Sequence, residues 1–308
     1  MKKTLFFLLS FIIVFSFFSD ISQAQQYPII YEDDLGREIV IEKEVEGIVS
    51  LAPGTTEIIY ALGLEDKLLA VSTAANYPEA AMEKETVGTI DEPNVELIIS
   101  LDPDLVIAES VTKKEVVERL SKLGIQVVGF NPRSITETIA MISDIALLTS
   151  TQDKAEEITS IMEAEYKRIS SLVEEELENK ERPKVFYEIW SDPLYTAGKN
   201  TFIDSMIHDA GGYNIGREAP GSWPQFNIES LIGRDPDVFI SSEHSSPGGV
   251  SMEKLRTRQL FREISAFQND RLYIVDQDLV NRPSPRIIEG YKEFVRAIFP
   301  ELEAEIRD

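Results

Sequence analysis

Cysteine is absent from the 308 residues, and histidine occurs only twice, at 208 and 244. The first absence excludes disulfides, thiolate metal sites and cysteine nucleophiles. The second leaves little for a bare transition-metal site, which needs several imidazoles or carboxylates converging. His208 sits mid-helix before Asp209 and reads as packing or surface. His244 lies in the loop sequence SSEHSSPGG, where it reads as solvated, with axial ligation of a cargo metal as the sharper alternative. Positive charge is also scarce: 30 Lys and Arg stand against 54 Asp and Glu, a formal charge of −24. Such a chain repels phosphate backbones, so nucleic-acid binding is not expected. No G-x-S-x-G, P-loop, G-x-G-x-x-G or H-E-x-x-H pattern occurs, which removes the common signatures of acyl transfer, nucleotide binding and zinc hydrolysis. A carboxylate pair for sugar hydrolysis is not excluded by counting, so an exported hydrolase stays open as an alternative, and a structural or adhesive protein as another.

After residue 24 no run is long enough to cross a bilayer. Before it, Lys2 and Lys3 precede an apolar stretch from Leu5 to Phe18, and Ser22-Gln23-Ala24 offers small residues for cleavage. This is the layout of a secretory signal peptide over 1–24, the run being shorter than the roughly 20 residues of a spanning helix. With no cysteine to carry a lipid, the expectation is a soluble, monomeric periplasmic protein of a two-membrane bacterium.

What the chain does contain is alternation. Residues 29–45 read as a hairpin around Leu35-Gly36. Strand and helix patterns then alternate: 47–51, 53–62, 68–72, 105–108, 113–123 and 125–130, with Gly63 and Gly124 as helix stops. Such alternation predicts an α/β fold with mostly parallel sheets. From Gln152 to Asn179 there is neither Gly nor Pro, and Ile158, Ile161, Met162, Tyr166, Ile169, Leu172 and Val173 follow helical spacing. One amphipathic helix of roughly 40 Å is expected there, followed by a second β/α run from Lys184 and a last helix near 285–299. The expected organisation is a lobe at 25–150, a linking helix at 151–182 and a second lobe at 183–308.

The halves share a motif. Segment 94–107, NVELIISLDPDLVI, matches segment 227–240, NIESLIGRDPDVFI, without a gap. In each, Asn can cap a short helix, Glu sits in its first turn, and Asp-Pro-Asp turns the chain into a buried strand. The structural need explains most of these positions; it leaves open why each half presents an exposed acid.

These segments, with DDLGREIVI (33–41), IVSLAPGTTEIIYALGL (48–64), NYPEA (76–80), LYTAGKNTFIDSMIHDAGGYNI (194–215), SWPQ (222–225) and NRPSPRI (281–287), resemble the solute-binding proteins of ABC importers for vitamin B12 and chelated iron. The resemblance runs from about 29 to 300, and the narrower likeness is to the vitamin B12-binding members. It implies two similar lobes joined by one long rigid helix, a ligand held in the cleft between them, little lobe movement on binding, no catalysis and no cofactor of the protein's own. The partners it implies are a small-molecule ligand and a permease dimer with its ATPase subunits. Glu96 and Glu229 match the glutamates, one per lobe, that dock onto permease arginines. Trp223, Asp278, Arg282 and Tyr195 match residues near the ligand. Trp190, at the end of a predicted strand, and Tyr77 are further candidates, with core packing as the competing role for Trp190 and Tyr195, and a surface i, i+4 pair for Asp278 and Arg282. Arg286 can instead hold the helix that follows it. Ala74 and Ile90 stand where the B12-binding relatives place aromatics. The ligand therefore stays open among a corrinoid, haem and a ferric siderophore.

Overall fold

The computed structural model describes residues 25–243, 246 and 249–307; the expected signal peptide and His244 lie outside them. The chain opens with the hairpin β1 (Ile29–Glu32) and β2 (Glu38–Ile41), paired antiparallel from Ile29↔Ile41 to Glu32↔Glu38. Its turn has Gly36 at φ +72°, a conformation glycine adopts at little cost. The Asp33 carboxylate ties the turn down by accepting from the backbone N–H groups of Leu35, Arg37 and Gly129 at 2.9–3.0 Å.

The first lobe is built on β3 (Ile48–Ser50), α1 (Pro53–Ala61), β4 (Leu68–Val71), β5 (Glu85–Thr86), α2 (Val95–Ser100), β6 (Leu105–Glu109), α3 (Lys114–Lys122), β7 (Val127–Phe130) and α4 (Ile135–Thr149). Its sheet is all parallel in the order β5-β4-β3-β6-β7. After a break at Ser150, whose φ is +61°, α5 (Gln152–Glu176) crosses to the second half. Its 25 residues span about 38 Å.

The second lobe follows with β8 (Lys184–Ser191), β9 (Leu194–Thr196), α6 (Phe202–Asp209), β10 (Tyr213–Asn214), α7 (Ile228–Arg234), β11 (Val238–Ser242), α8 (Met252–Arg256), α9 (Ser265–Gln268), β12 (Leu272–Val275), α10 (Gln277–Val280) and α11 (Ile287–Ile298). Strands β10-β8-β11-β12 are parallel, and β9 folds back antiparallel on β8.

Because strand side chains alternate, each sheet feeds two cores. Ile48, Leu105 and Ile107 of the first sheet, and Val185, Tyr187, Val238 and Ile240 of the second, share one continuous core with Met162, Ile169 and Val173 of α5 and with Phe294 and Ile298 of α11. Val49, Val106 and Val127 face a separate core in the first lobe, and Phe186, Phe239 and Leu272 one in the second. The linking helix is therefore part of the shared core rather than a free strut. Rotating one lobe against the other would expose apolar area along α5, which opposes large hinge motion.

The matched segments fold alike. Asn94 caps α2 by accepting from Leu97 N–H, and Asn227 caps α7 by accepting from Ser230 N–H, both at 3.1 Å. Asp102 and Asp235 both take positive φ, +48° and +46°. Asp104 then accepts from Gly47 N–H at 3.0 Å, and Asp237 from Lys184 N–H at 2.8 Å. In each copy the last Asp thus pins the entrance of the neighbouring parallel strand, so the motif is a device for building a strand pair.

Candidate functional site

In parallel sheets ligands gather beyond the carboxyl ends of the strands, and a cavity of about 650 Å³ lies there between the lobes. From the first lobe it takes Glu109 at the end of β6 and Asn131, Pro132 and Arg133 just past β7. From the second it takes Tyr187 and Ile189 of β8, Ser242 at the end of β11, Lys199 and Phe202 around the start of α6, Trp223 of the loop before α7, and Gln277 and Asn281 around α10. Aromatic faces and amides thus share one concave wall, as a broad amphipathic ligand requires. Burial pushes the Tyr187 phenol up to about 12, so it remains a neutral hydroxyl at any physiological pH.

Of the residues singled out from the sequence, Trp223 lines this cavity, with 55% of its surface exposed. Tyr195 and Trp190 do not; they face each other across the β8–β9 pair, and Trp190 Nε1–H donates to the Asp192 carbonyl at 2.8 Å. Asp278, Arg282 and Tyr77 do not line it either. They meet in a second cluster that joins the lobes. Glu57, on α1, is almost wholly buried; it accepts from Arg286 Nη2 and Nε at 2.6 and 2.8 Å, and from Arg282 Nη1 at 3.3 Å. Arg282 also donates to Asn76 Oδ1 at 2.6 Å and pairs with Asp278 at 2.7 Å, while Asn76 donates to Asp278 at 3.0 Å. The Arg286 guanidinium stacks 3.8 Å from the Tyr77 ring centroid. Asp278 and Arg282 do form the i, i+4 pair, but inside a polar junction between lobes, with Arg282 only 9% exposed. Arg286 holds the opposite lobe as well as opening α11.

The junction extends to α1's first turn. A Cβ on Gly54 would lie 2.8 Å from the Pro283 carbonyl oxygen and 3.0 Å from Glu109 Oε1, so only glycine lets the lobes approach this closely. Burial, opposed in part by the Thr55 N–H and by Arg282, pushes the Glu109 carboxyl up to about 7, and its Oε1 has no hydrogen-bond partner.

Glu96 and Glu229 stand in the first turns of α2 and α7, exposed to solvent. Since each helix runs back toward the amino end of its sheet, both first turns lie on the carboxyl-end side, where the cleft opens. His208, in the last turn of α6, is on the surface 3.5 Å from Asp209. Among the described residues no group of three or more His, Asp or Glu is placed to hold a metal ion, and no helix is long and apolar enough to cross a membrane.

Sequence reasoning passed over Tyr187, Arg133, Lys199, Phe202 and Asn281. One signal was available for Arg133, which lies just past the carboxyl end of the recognisable strand at 125–130; Tyr187 sits mid-strand in β8, and Lys199, Phe202 and Asn281 come after pieces too short to carry a period.

Comparison with known proteins agrees with this architecture. An uncharacterized ABC transporter substrate-binding lipoprotein of Bacillus subtilis, YvrC, is 33% identical over 288 residues, covering 92% of this chain and 89% of its own. The periplasmic vitamin B12 binding protein BtuF of Vibrio cholerae superposes with a TM-score of 0.73 at 27% identity, over 82% of this chain and 96% of that one. A possible iron-binding, periplasmic solute-binding protein of Staphylococcus epidermidis superposes with a TM-score of 0.69 at 32% identity, over 83% of this chain and all of the other. The family model for periplasmic binding proteins matches residues 48–279. With two parallel-sheet lobes bridged by one core helix and a cavity between their strand ends, this chain belongs to the periplasmic binding protein family.

Proposed function

We propose that the protein works outside the cytoplasmic membrane as the solute-binding component of an ABC importer, holding a corrinoid or a chelated-iron ligand in the cleft between its lobes. The observation that carries this is the cavity itself: about 650 Å³, set beyond the strand ends of both sheets, with Phe202 and Trp223 as apolar walls. Aromatic walls with scattered amides suit a large, partly flat ligand better than a sugar or a bare ion. The similarity to proteins named for vitamin B12 and iron supports the same ligand range. Haem or a ferric siderophore is the alternative within the same type.

The test is tryptophan fluorescence. Trp190 and Trp223 are the only tryptophans, and only Trp223 lines the cavity. Titration with cobalamin, cobinamide, haem and ferric siderophores should quench the Trp223 signal for at least one of them, and a Trp223→Phe variant should lose that response. If no compound in the set binds, the reading fails.

Delivery is proposed to use Glu96 and Glu229. Each is exposed in the same turn of a matched helix, so a two-fold permease could receive one carboxylate at each of two equivalent basic sites. Glu96→Ala with Glu229→Ala should leave ligand affinity and thermal stability unchanged and reduce uptake by a reconstituted transporter to background. Undiminished uptake would remove the role.

A further inference from the structure

The cavity has an unusual charge for this protein. The chain as a whole carries 24 more acidic than basic side chains, yet the charged residues lining the cavity are two cations, Arg133 and Lys199, and one acid, Glu109. The cations come from opposite lobes: Arg133 from the turn between β7 and α4, Lys199 from the turn between β9 and α6. Both are exposed. Among the described residues neither side chain makes an ion pair or hydrogen bond. Glu137, in the first turn of α4, accepts from the Arg133 backbone N–H at 2.6 Å and not from its guanidinium. In a chain with this surplus of carboxylates, an unpaired cation on each side of a cleft is a site awaiting an anion.

The other two arginines beside the cleft are not available. Arg286 is bound through two nitrogens to Glu57, and Arg282 is shared among Glu57, Asp278 and Asn76. Their charge is spent on joining the lobes.

We propose that Arg133 and Lys199 form a two-sided clamp that selects ligands bearing carboxylate or phosphate groups at the rim of a broad apolar body. The proposal rests on the ligand-cleft reading above and narrows it. A guanidinium offers paired N–H donors to a planar carboxylate, and an ammonium a point charge for whatever anionic oxygen it meets. Placing one on each lobe makes the ligand's negative charge bridge the cleft, so that both lobes must be in position before the full attraction is realised. Glu109 works against the clamp. It is faced by Glu57 of α1 and Arg282, and burial pushes it up to about 7, so it adds negative charge to the cavity wall mainly above neutrality. Anionic ligands should therefore be held more weakly as pH rises through that range.

The experiment uses the full chain without residues 1–24, a set of ligands that separates charge from shape, and fluorescence titration at low and high salt. Hemin and its dimethyl ester share the macrocycle and differ in two carboxylates. Cobalamin and cobinamide share the corrin, and cobinamide lacks the phosphodiester together with the ribose and benzimidazole it carries. A ferric citrate chelate presents carboxylates without a macrocycle. Wild-type protein should bind the anionic member of at least one pair tenfold or more tighter than its neutralised partner, charge-assisted contacts each being worth about that factor. Arg133→Gln with Lys199→Gln should erase that difference while leaving affinity for the neutralised partner unchanged; Lys199→Arg should retain most of it. Equal affinity of wild-type protein for both members of every bound pair would overturn the clamp and leave the ligand-cleft reading standing. So would a double variant that still discriminates. Binding of nothing in the set would overturn both. The source of the anion follows from which arm responds: propionate-type carboxylates, a corrinoid phosphate or a carboxylate chelate.

Discussion

Two polar regions lie side by side between the lobes, drawn from similar residues and put to opposite uses. In the junction around Glu57, two arginines, an asparagine, an aspartate and a tyrosine neutralise and stack on one another across the lobes. In the cavity, an arginine and a lysine stand without partners among the described residues, and the Trp223 ring is left exposed. The difference does not come from the basic residues themselves. It comes from what faces them: the junction has Glu57 delivered from α1 into a buried position, while the cavity's acid, Glu109, is pushed toward its neutral form by burial. A cation beside a cleft is therefore structural or ligand-ready according to where the opposing carboxylate sits and whether it is ionised.

The comparison can be broken most forcefully at Glu57. Glu57→Gln removes the carboxylate that both arginines share, leaving Arg286 without an acid and Arg282 with Asp278 alone in a mostly buried contact. A loss of about 3–5 kcal/mol is expected, measured by urea unfolding, with an increased radius of gyration by X-ray scattering as the lobes loosen. A loss below about 1 kcal/mol would mean that the shared core along α5 alone holds the lobes together.

Glu109→Gln tests the other side. The Glu109 carboxyl titrates near 7 in the folded protein and near its ordinary 4.5 when unfolded. Between those values the folded state holds the extra proton, so stability falls as pH rises from about 4.5 to 7 and levels off above. The cost at pH 8 is on the order of 3 kcal/mol. The variant should lack that decline, so its stability relative to the parent should improve between pH 5 and pH 8. Parallel pH profiles for the two proteins would show that Glu109 is ionised in the native state.

The smallest effect sharpens the border between the regions. Tyr77 stacks on Arg286 and does not line the cavity. Tyr77→Ala should cost about 1 kcal/mol of stability through the lost cation–π contact and leave ligand affinity within twofold. A tenfold loss of affinity with unchanged stability would return Tyr77 to the ligand.

Much of this was legible from the residues. The hairpin around Gly36, the α/β alternation, the breaker-free helix and the paired Asn-x-Glu…Asp-Pro-Asp units all depend on contacts within one turn or between adjacent strands, which periodicity and capping chemistry report directly. Short pieces such as β9 and α10 escaped, since three or four residues carry no period. The site was legible in part. Trp223 in its Gly-Ser-Trp-Pro loop pointed to the cavity, and Asp278 with Arg282 showed helical spacing. That Arg282 also meets Glu57, 225 positions away in the chain, could not be read from spacing.

The sequence by itself determined the elements and their order, because hydrophobic period, caps and turn residues act over a few positions, and it determined the scarcity of cations that makes any unpaired one notable. Only the tertiary structure decided which cations those are. Packing α1 against the loop at 281–286 brings Glu57 to Arg282 and Arg286 and leaves Arg133 and Lys199 facing an open cavity. Which charges meet is set by the distance between folded surfaces, and separation along the chain does not encode that distance.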